Sequence, residues 1–439
     1  MLETLQHRLI SAVRSTNTAE YIGTITHVVG LTIESRGPQA PIGEVLLIRD
    51  HRRAIIGQCE VVGFKDNRIL SMVLHQEGEL MPGMELIATH RPLSVAVGKF
   101  LLGRILDGLG NPMDGKGAFV VNDVRSIYAK PPNPLMRQRI SEPIATGIRA
   151  IDGVMTIGKG QRVGIFSGSG VGKSTTLGMI ARNTSADINV IALIGERGRE
   201  VREFIENDLG PEGLARSVVV CATGDEPALI RIKAALTATT IAEYFRDLGF
   251  DVMLMMDSVT RLAMAQREVG LAVGEPPTAK GYTPSVFALM SKTMERAGTS
   301  DVGTITALYT VLVEGDDMNE PISDTARGIL DGHIVLSRKI ASQAHYPAID
   351  ILPSLSRVMG EITTREHRAA AAKLKEALAL YTESEDLINV GAYQPGSNPR
   401  LDKAVNLIQE IRAYLRQDVH ESIDYNETVS RLQRMVREF

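Results

Sequence analysis

The segment Ser167-Gly168-Ser169-Gly170-Val171-Gly172-Lys173-Ser174-Thr175 follows an apolar run, Arg162–Phe166, and precedes a helical pattern over Thr176–Arg182. Glycines allow the backbone to wrap closely around a phosphate, and the amides of such a loop and of the following helix N-terminus present positive ends to it. In a loop of this pattern Lys173 reaches the β- and γ-phosphates and the Ser174 hydroxyl ligates Mg²⁺. Ser167 replaces the usual first glycine, but it begins the turn, where a small side chain suffices. The segment predicts a phosphate-binding loop between a strand and a helix.

Apolar runs alternate with longer helical patterns around this loop, over residues 144–360. Between two of the runs, Leu229, Ile232, Leu236 and Phe245 recur at helical spacing. Such alternation is typical of βαβ crossovers and of a mainly parallel sheet covered on both faces. The predicted fold class of this part is therefore α/β, a nucleotide-binding domain around a parallel sheet. The predicted strands are Val163–Phe166, Ile188–Ile194, Val218–Ala222, Val252–Met256 and Thr304–Val313.

Two acidic residues follow strands of this sheet and could complete a phosphate site. Asp257 closes the run Asp251-Val-Met-Leu-Met-Met-Asp257, at the carboxyl end of a strand, where α/β proteins place their ligands. A carboxylate there is a candidate metal partner for Ser174. Glu196 follows the run that ends at Ile194, so it should lie near the same edge and could activate water. A solvated charged turn remains the alternative for Glu196.

The remaining chain divides into four stretches of different pattern. In residues 1–20, apolar residues at helical spacing predict a short amphipathic helix, which either packs on its own domain or docks a partner. Short apolar runs separated by turn residues predict a small β-barrel over 21–95. Residues 96–143 are glycine-rich and then proline-rich and basic, which predicts a connector. Helical patterns with no strong strand predict a C-terminal helical domain over 361–439.

Composition bounds the class of protein without defining its chemistry. The 439 residues carry 48 Lys+Arg against 52 Asp+Glu, a net charge of −4, which argues against gripping nucleic acid through bulk positive charge. Two cysteines cannot build a disulfide framework, and this fits a reducing compartment. No apolar run approaches the length of a membrane span, and the first 20 residues lack the pattern of a secretory signal. We therefore expect a multidomain cytoplasmic protein with no transmembrane segment.

The order and spacing of these elements resemble those of the catalytic β subunits of rotary F- and V-type ATPases. The segment Pro347-Ala-Ile-Asp-Ile-Leu-Pro-Ser-Leu-Ser356 is similar to the signature of that superfamily. Within it the chain most resembles the type III protein-export ATPases, through Gly195–Gly210, Gly274–Thr278, Gly281–Phe287 and Leu312–Pro321. Val28–Ser35 and Asp386–Tyr393 favour the flagellum-specific branch over the virulence injectisome branch. The resemblance covers nearly the whole chain and implies a β-barrel, a RecA-like nucleotide domain and a helical C-terminal domain.

The resemblance implies a role for each charged residue around the phosphate loop. Glu196 matches the carboxylate that polarises the attacking water, and Lys173 matches the lysine of the loop. Arg197 and Arg261 match arginines near the γ-phosphate. Arg357 matches an arginine finger that reaches into the site of a neighbouring subunit, so a ring should form and a monomer should hydrolyse ATP poorly.

The resemblance also implies contacts away from the phosphates. Tyr346 matches the aromatic that stacks on adenine, and Tyr393 is predicted to close the other side of the base; a packed core tyrosine is the alternative for Tyr346. Asp316 and Asp317 match a loop that faces the central stalk, with an acidic solvated turn as the alternative.

The function implied by the resemblance is that of a homohexameric Mg²⁺-ATPase of the flagellar type III export apparatus. Its cofactors would be ATP and Mg²⁺. It would couple hydrolysis to chaperone release, unfolding and export of flagellar proteins. Its partners would be a peripheral-stalk regulator at the N-terminal helix, a central-stalk export protein, membrane proteins of the export gate, and chaperone–substrate complexes. It would lie in the cytoplasm, peripherally on the inner face of the cell membrane.

Three other functions remain open at this point. The first is the ATPase of a virulence-type injectisome, which shares every catalytic motif. The second is an RNA-translocating ring helicase, which the acidic composition and the lack of an aromatic–basic stripe disfavour. The third is a non-catalytic nucleotide-binding ring subunit, which Glu196 disfavours.

Overall fold

The computed structural model describes residues 19–313, 315 and 317–439. Nearly all of the helix predicted over 1–20, and Asp316 of the predicted stalk-facing loop, lie outside the described residues. The chain forms two compact units, one built from the residues up to Ser94 together with Val269–Glu275, the other from Val95–Glu268 and Pro276–Phe439. None of the helices in the described part of the chain combines the length and apolarity needed to cross a membrane.

The first unit contains a closed barrel in the strand order β1-β2-β5-β4-β3-β6. Its neighbouring strands pair antiparallel, and their inward side chains form a buried core that includes Ile25, Ile33, Leu46 and Ile48. Closure leaves no free sheet edge, which is how short antiparallel strands avoid pairing with other chains. The predicted barrel is therefore present. Its strands are β1 (Ile22–Val29), β2 (Thr32–Arg36), β3 (Glu44–Arg49), β4 (Ile55–Lys65), β5 (Arg68–Gln76) and β6 (Glu85–Pro92).

The second unit is built around a nine-stranded sheet in the order β19-β18-β12-β17-β15-β13-β14-β8, with β16 paired beside β17. The pairs from β18 through to β8 are parallel, and β19 and β16 pair antiparallel with their neighbours. Two short ribbons, β7–β9 and β10–β11, lie outside this sheet. The strands are β7 (Ser94–Val97), β8 (Arg104–Asp107), β9 (Asp123–Ser126), β10 (Pro143–Ile144), β11 (Ile157–Gly158), β12 (Arg162–Ser167), β13 (Ile188–Ile194), β14 (Ser217–Ala222), β15 (Asp251–Asp257), β16 (Gly298–Thr299), β17 (Thr304–Leu312), β18 (Gly332–Leu336) and β19 (Ile349–Ser356).

All five apolar runs predicted as strands of this sheet are strands, because continuous apolar runs suit strands buried on both faces. Four strands of the sheet were not predicted: the edge strands β8 and β19, the inner strand β18 and the short β16. Residues Arg104–Asp107 lie in the stretch interpreted as a connector, yet they pair parallel with β14. Ile349–Ser356, within the segment that resembles the superfamily signature, forms β19 against β18. Pro353 is compatible with β19 because this strand lies at the edge of the sheet.

Helices cover the sheet and form the C-terminal part of the chain. The three C-terminal helices, α11 to α13, correspond to the helical patterns of the predicted C-terminal domain. Gly153 allows them to approach α1 closely, since a Cβ at this position would lie 2.0 Å from the Tyr414 hydroxyl. The helices are α1 (Arg149–Val154), α2 (Lys173–Asn183), α3 (Gly198–Glu203), a π-helical turn (Phe204–Leu209), α4 (Gly210–Ala215), α5 (Ala228–Asp247), α6 (Val259–Ala272), α7 (Pro284–Met294), α8 (Pro321–Ile329), α9 (Arg338–Ser342), α10 (Met359–Ile362), α11 (Arg365–Asn389), α12 (Pro399–Leu415) and α13 (Tyr425–Met435).

Candidate active site

The predicted phosphate loop connects β12 to α2 at the carboxyl end of the sheet. Ser167 is the last, buried residue of the strand, and Lys173 is the first residue of the helix. Gly172 precedes the helix with φ of 86°, a left-handed conformation that glycine adopts without strain. The free amides of the first turn of α2 therefore face the loop, and with the helix dipole they favour a bound phosphate.

A cluster of charged side chains lies beside the loop. The Lys173 ammonium donates a hydrogen bond to Oδ1 of Asp257, and its Nζ lies 3.5 Å from Oε1 of Glu196. The Arg261 Nε lies 3.3 Å from the same glutamate oxygen. Thr310 donates a second hydrogen bond, of 2.7 Å, to Oδ1 of Asp257. The structure thus brings together the loop lysine, both predicted carboxylates and one of the two predicted arginines.

Glu196 is buried, with 7% of its surface exposed, which excludes the alternative of a solvated charged turn. Burial raises the pKa of Glu196; the positive charges of Lys173 and Arg261 oppose this shift, whereas Asp257 adds to it. Its Oε1 is buried and accepts no hydrogen bond from the described residues, despite the two nearby cations. A buried carboxylate with an unused acceptor beside a phosphate loop is suited to orient and polarise a water molecule.

Lys173, Glu196 and Arg261 line a cavity of about 420 Å³. Arg197 lines it with an exposed side chain whose Nη1 lies 3.4 Å from Glu200. Asp208, at the end of the π-helical turn, also lines the cavity and hydrogen-bonds to the side chain of Thr175. No sequence pattern identified Asp208, because its position depends on the π-helical turn. The lining residues are Gly168, Ser169, Gly170, Gly172, Lys173, Ser174, Thr175, Glu196, Arg197, Glu200, Glu203, Asp208, Arg261 and Leu312.

A second cavity, of about 530 Å³, shares Gly172 and Thr175 with the first. Tyr346 lines it and is 45% exposed, so it is not a packed core tyrosine. The first cavity is lined by charged side chains beside the phosphate loop, and the second presents the aromatic ring of Tyr346. The lining residues are Gly172, Thr175, Thr176, Met179, Ala344, Tyr346, Pro347, Arg416, Gln417, Asp418 and Val419.

The structure does not bring Tyr393 to this cavity. Its hydroxyl donates a 2.7 Å hydrogen bond to Asp402 in the first turn of α12. The C-terminal residues that line the cavity are instead 416–419, in the connection between α12 and α13. The prediction that Tyr393 closes the other side of the base was therefore wrong: its hydroxyl is bonded to α12, and residues 416–419 line the cavity instead.

Two other predicted residues lie away from both cavities. Arg357 is exposed, directly after β19, and its guanidinium reaches only to the carbonyl of Arg327 at 3.4 Å. An arginine that serves a neighbouring subunit is expected to point away from the cavities of its own chain. Asp317 is exposed and its carboxylate accepts the amide of Asn319 at 2.9 Å, the geometry of a polar turn.

The donor set beside the loop fits Mg²⁺. Ser174 supplies a half-buried hydroxyl in the first turn of α2, and Asp257 supplies a carboxylate that contacts the neighbouring Lys173. Hydroxyl and carboxylate oxygens are hard ligands, and Mg²⁺ commonly binds through one or two of them plus substrate phosphates. Ser174 and Asp257 would hold the ion.

Two family models match this chain. The ATP synthase alpha/beta family, nucleotide-binding domain, matches residues 147–356. The T3SS EscN ATPase C-terminal domain matches residues 363–434.

Named relatives and solved structures match over almost the full length. The chain is 53% identical to the flagellum-specific ATP synthase of Bacillus subtilis (strain 168), over 97% of each chain. It is 51% identical to the type 3 secretion system ATPase of Xanthomonas euvesicatoria, over 93% of each. The structure of the assembled ATPase EscN from the type III secretion system of enteropathogenic E. coli has a TM-score of 0.89 and 47% identity, covering 94% of this chain and 100% of that one. The same ATPase in complex with its central stalk EscO has a TM-score of 0.87, with 46% identity and the same coverage.

Proposed function

Since the chain belongs to the family of flagellum-specific ATP synthases and type 3 secretion system ATPases, we propose that it hydrolyses Mg²⁺-ATP to drive type III protein export. The observation that carries this proposal is the buried Glu196, whose Oε1 lies beside both the lysine of the phosphate loop and Arg261 and accepts no hydrogen bond from the described residues. A non-catalytic nucleotide-binding subunit would have no use for this carboxylate.

In the proposed mechanism the triphosphate of ATP lies along the phosphate loop, and the base lies against Tyr346. Lys173 and Arg261 neutralise the charge that develops on the γ-phosphoryl group, and Arg197 approaches from the open side of the cavity. Glu196 orients the water for in-line attack on the γ-phosphorus and acts as the general base that accepts its proton, while the bond to the ADP leaving group breaks. Ser174 and Asp257 would hold Mg²⁺, which would supply positive charge beside the phosphates.

The arginine finger requires a ring. Arg357 is exposed on the surface of its own chain, and in a homohexamer it would complete the site of the next subunit. Such fingers contribute about 10³–10⁵ to the rate in other phosphoryl-transfer systems. The comparison with an assembled relative supports this arrangement.

The export system that we propose is the flagellar one. Relatives named as flagellum-specific ATP synthases from several bacteria support it, at 44–53% identity. The enzyme would lie in the cytoplasm against the inner face of the cell membrane. It would contact a peripheral-stalk regulator through residues 1–20, a central-stalk protein, the export gate and chaperone–substrate complexes. An injectisome ATPase is the second candidate, because the Xanthomonas relative is nearly as similar.

Two measurements test these proposals separately. Phosphate release from Mg²⁺-ATP by the purified full-length chain tests the activity, and stimulation by RNA rather than by export proteins would favour a helicase instead. A pull-down that compares the full-length chain with a deletion of residues 1–20 tests the system. We expect flagellar export components to bind in a manner that depends on residues 1–20; recovery of injectisome components alone would contradict the flagellar assignment.

A further inference from the structure

We call the second cavity, which Tyr346 lines, the base cavity, and residues 416–419 its C-terminal wall. The wall lies between α12 and α13 and has no regular secondary structure. A segment of this kind needs tertiary contacts to hold it at one position. Three parts of the nucleotide domain supply such contacts, and they converge on Gln417 and its neighbours.

Gln417 is 3% exposed and uses every polar group of its side chain. Its backbone amide donates to the carbonyl of Tyr346 at 2.9 Å, which joins the wall directly to the residue proposed to stack on the base. Its side-chain Nε2 donates to the carbonyls of Gly147 at 2.7 Å and Glu421 at 3.0 Å. Its Oε1 accepts the backbone amide of Arg149 at 2.9 Å. The side-chain polar atoms are thus bonded to protein groups, and they hold the wall in place.

Arg149, the first residue of α1, also bonds to the wall and to the residues on either side of it. Its guanidinium is 3% exposed and donates to the carbonyls of Tyr414, at 2.7 Å, and Arg416. It also forms a two-pronged ion pair with the carboxylate of Glu421. A buried arginine needs hydrogen-bond partners, and here Tyr414, Arg416 and Glu421 provide them.

A third contact ties the wall to the C-terminal end of α2. Arg182, near the end of α2, donates to the carbonyl of Val419 at 2.7 Å. These contacts fix the wall relative to α1, α2 and Tyr346. The hydrogen bonds of Gln417 do not involve the phosphate loop.

We infer that Gln417, held by Arg149 and Glu421, is a positioning residue that fixes the wall against which the base of the nucleotide binds. The inference rests on the proposed function, because it explains how the proposed ATP site prefers a nucleotide to a triphosphate chain that has no base. Because the lining of the phosphate cavity does not include the wall, loss of Gln417 weakens the binding of ATP and leaves the binding of a bare triphosphate chain unchanged.

The test compares two ligands on the full-length chain, Mg²⁺-ATP and Mg²⁺-tripolyphosphate, by titration calorimetry, with KM and kcat for ATP measured alongside. Gln417→Ala leaves several buried polar groups without partners, and we expect it to raise the Kd and KM for ATP by about 10- to 100-fold. We expect the Kd for tripolyphosphate to stay within about twofold of wild type and KM to change much more than kcat. The control variant is Gln409→Ala, on the exposed face of α12, with no change in either Kd.

Two further variants keep the test decisive if Gln417→Ala folds poorly. Gln417→Glu keeps the shape but removes the two Nε2 donors, and Glu421→Gln keeps Gln417 but removes the charge opposite Arg149. Both variants should raise the Kd for ATP and leave the Kd for tripolyphosphate unchanged, and the effect of Glu421→Gln should be the smaller one. Equal weakening of ATP and tripolyphosphate, or an unchanged Kd for ATP in Gln417→Glu, would overturn the inference. Absence of phosphate release from the wild-type chain would instead overturn the proposed function, so the two failures are distinguishable.

Discussion

Replacement of Glu196 by glutamine removes the water-polarising carboxylate and leaves its shape in place. The Lys173 ammonium keeps its bond to Asp257, so the phosphate loop retains its anchor and ATP should still bind. The amide cannot draw a proton from water, and a positioned general base contributes about 10²–10⁴ in rate. We therefore expect kcat to fall by this factor, which corresponds to about 3–5 kcal/mol of barrier.

The assay is steady-state phosphate release, with nucleotide affinity measured by titration of a fluorescent ATP analogue. The control is Glu206→Gln, which removes an exposed carboxylate paired with Arg202 and should retain wild-type turnover. A Glu196→Gln enzyme with kcat within about threefold of wild type would refute the assigned role. Loss of nucleotide binding in this variant would refute the reasoning that Lys173 and Asp257 suffice to anchor the loop.

The pH dependence of the rate tests the same residue. Glu196 must be ionised to polarise water, and burial raises its pKa above that of an exposed glutamate. Turnover should therefore increase as the pH rises through this raised pKa. The acid limb of the pH–rate profile should lie at a higher pH than the pKa of an exposed glutamate would give. Because a glutamine side chain does not titrate, the Glu196→Gln variant should lose this limb; an identical acid limb in its residual activity would contradict the assignment.

Three further predictions concern the ring, the base and the metal. Mixing Lys173→Ala with Arg357→Ala chains should restore part of the activity that each lacks alone, since a mixed ring contains some intact interfaces; verified mixed rings without activity would contradict a shared site. Tyr346→Ala should raise the KM for ATP about tenfold through loss of base stacking, whereas Tyr393→Ala should leave KM unchanged, as measured by steady-state kinetics. Asp257→Asn should raise the Mg²⁺ concentration that supports half-maximal turnover by at least about tenfold, and an unchanged Mg²⁺ titration would exclude Asp257 as a ligand.

The parts of the fold that could be predicted from sequence are those in which local pattern and final environment agree. The central strands are continuous apolar runs because both faces of the parallel sheet are buried, so even the bounds of Ile188–Ile194 follow from the pattern. Arg104–Asp107 and Ile349–Ser356 pair at the two edges of the sheet, where half-exposed residues and Pro353 are tolerated. Their composition therefore resembles that of loops, and the strand that pairs with Arg104–Asp107 is remote in sequence.

The same distinction applies to the site. The phosphate loop, Asp257 and Glu196 lie at or directly after strand ends, so their meeting at one edge of the sheet follows from the α/β pattern. The base cavity combines Tyr346 with residues about 70 positions later, and nothing local in the sequence around Gln417 indicates that contact. The prediction for Tyr393 came from the resemblance to the family, yet a polar segment held by buried hydrogen bonds lines this cavity.

The central claim is that this chain is an ATPase whose site is completed by a neighbouring copy. Its most direct test is the rate of phosphate release per chain as the protein concentration is raised, with the mass distribution recorded on the same samples. We predict that the specific activity rises as monomers assemble into hexamers, and that the Arg357→Ala chain assembles without this rise. A specific activity that stays constant across the assembly transition, or equals that of Arg357→Ala at every concentration, would contradict the claim.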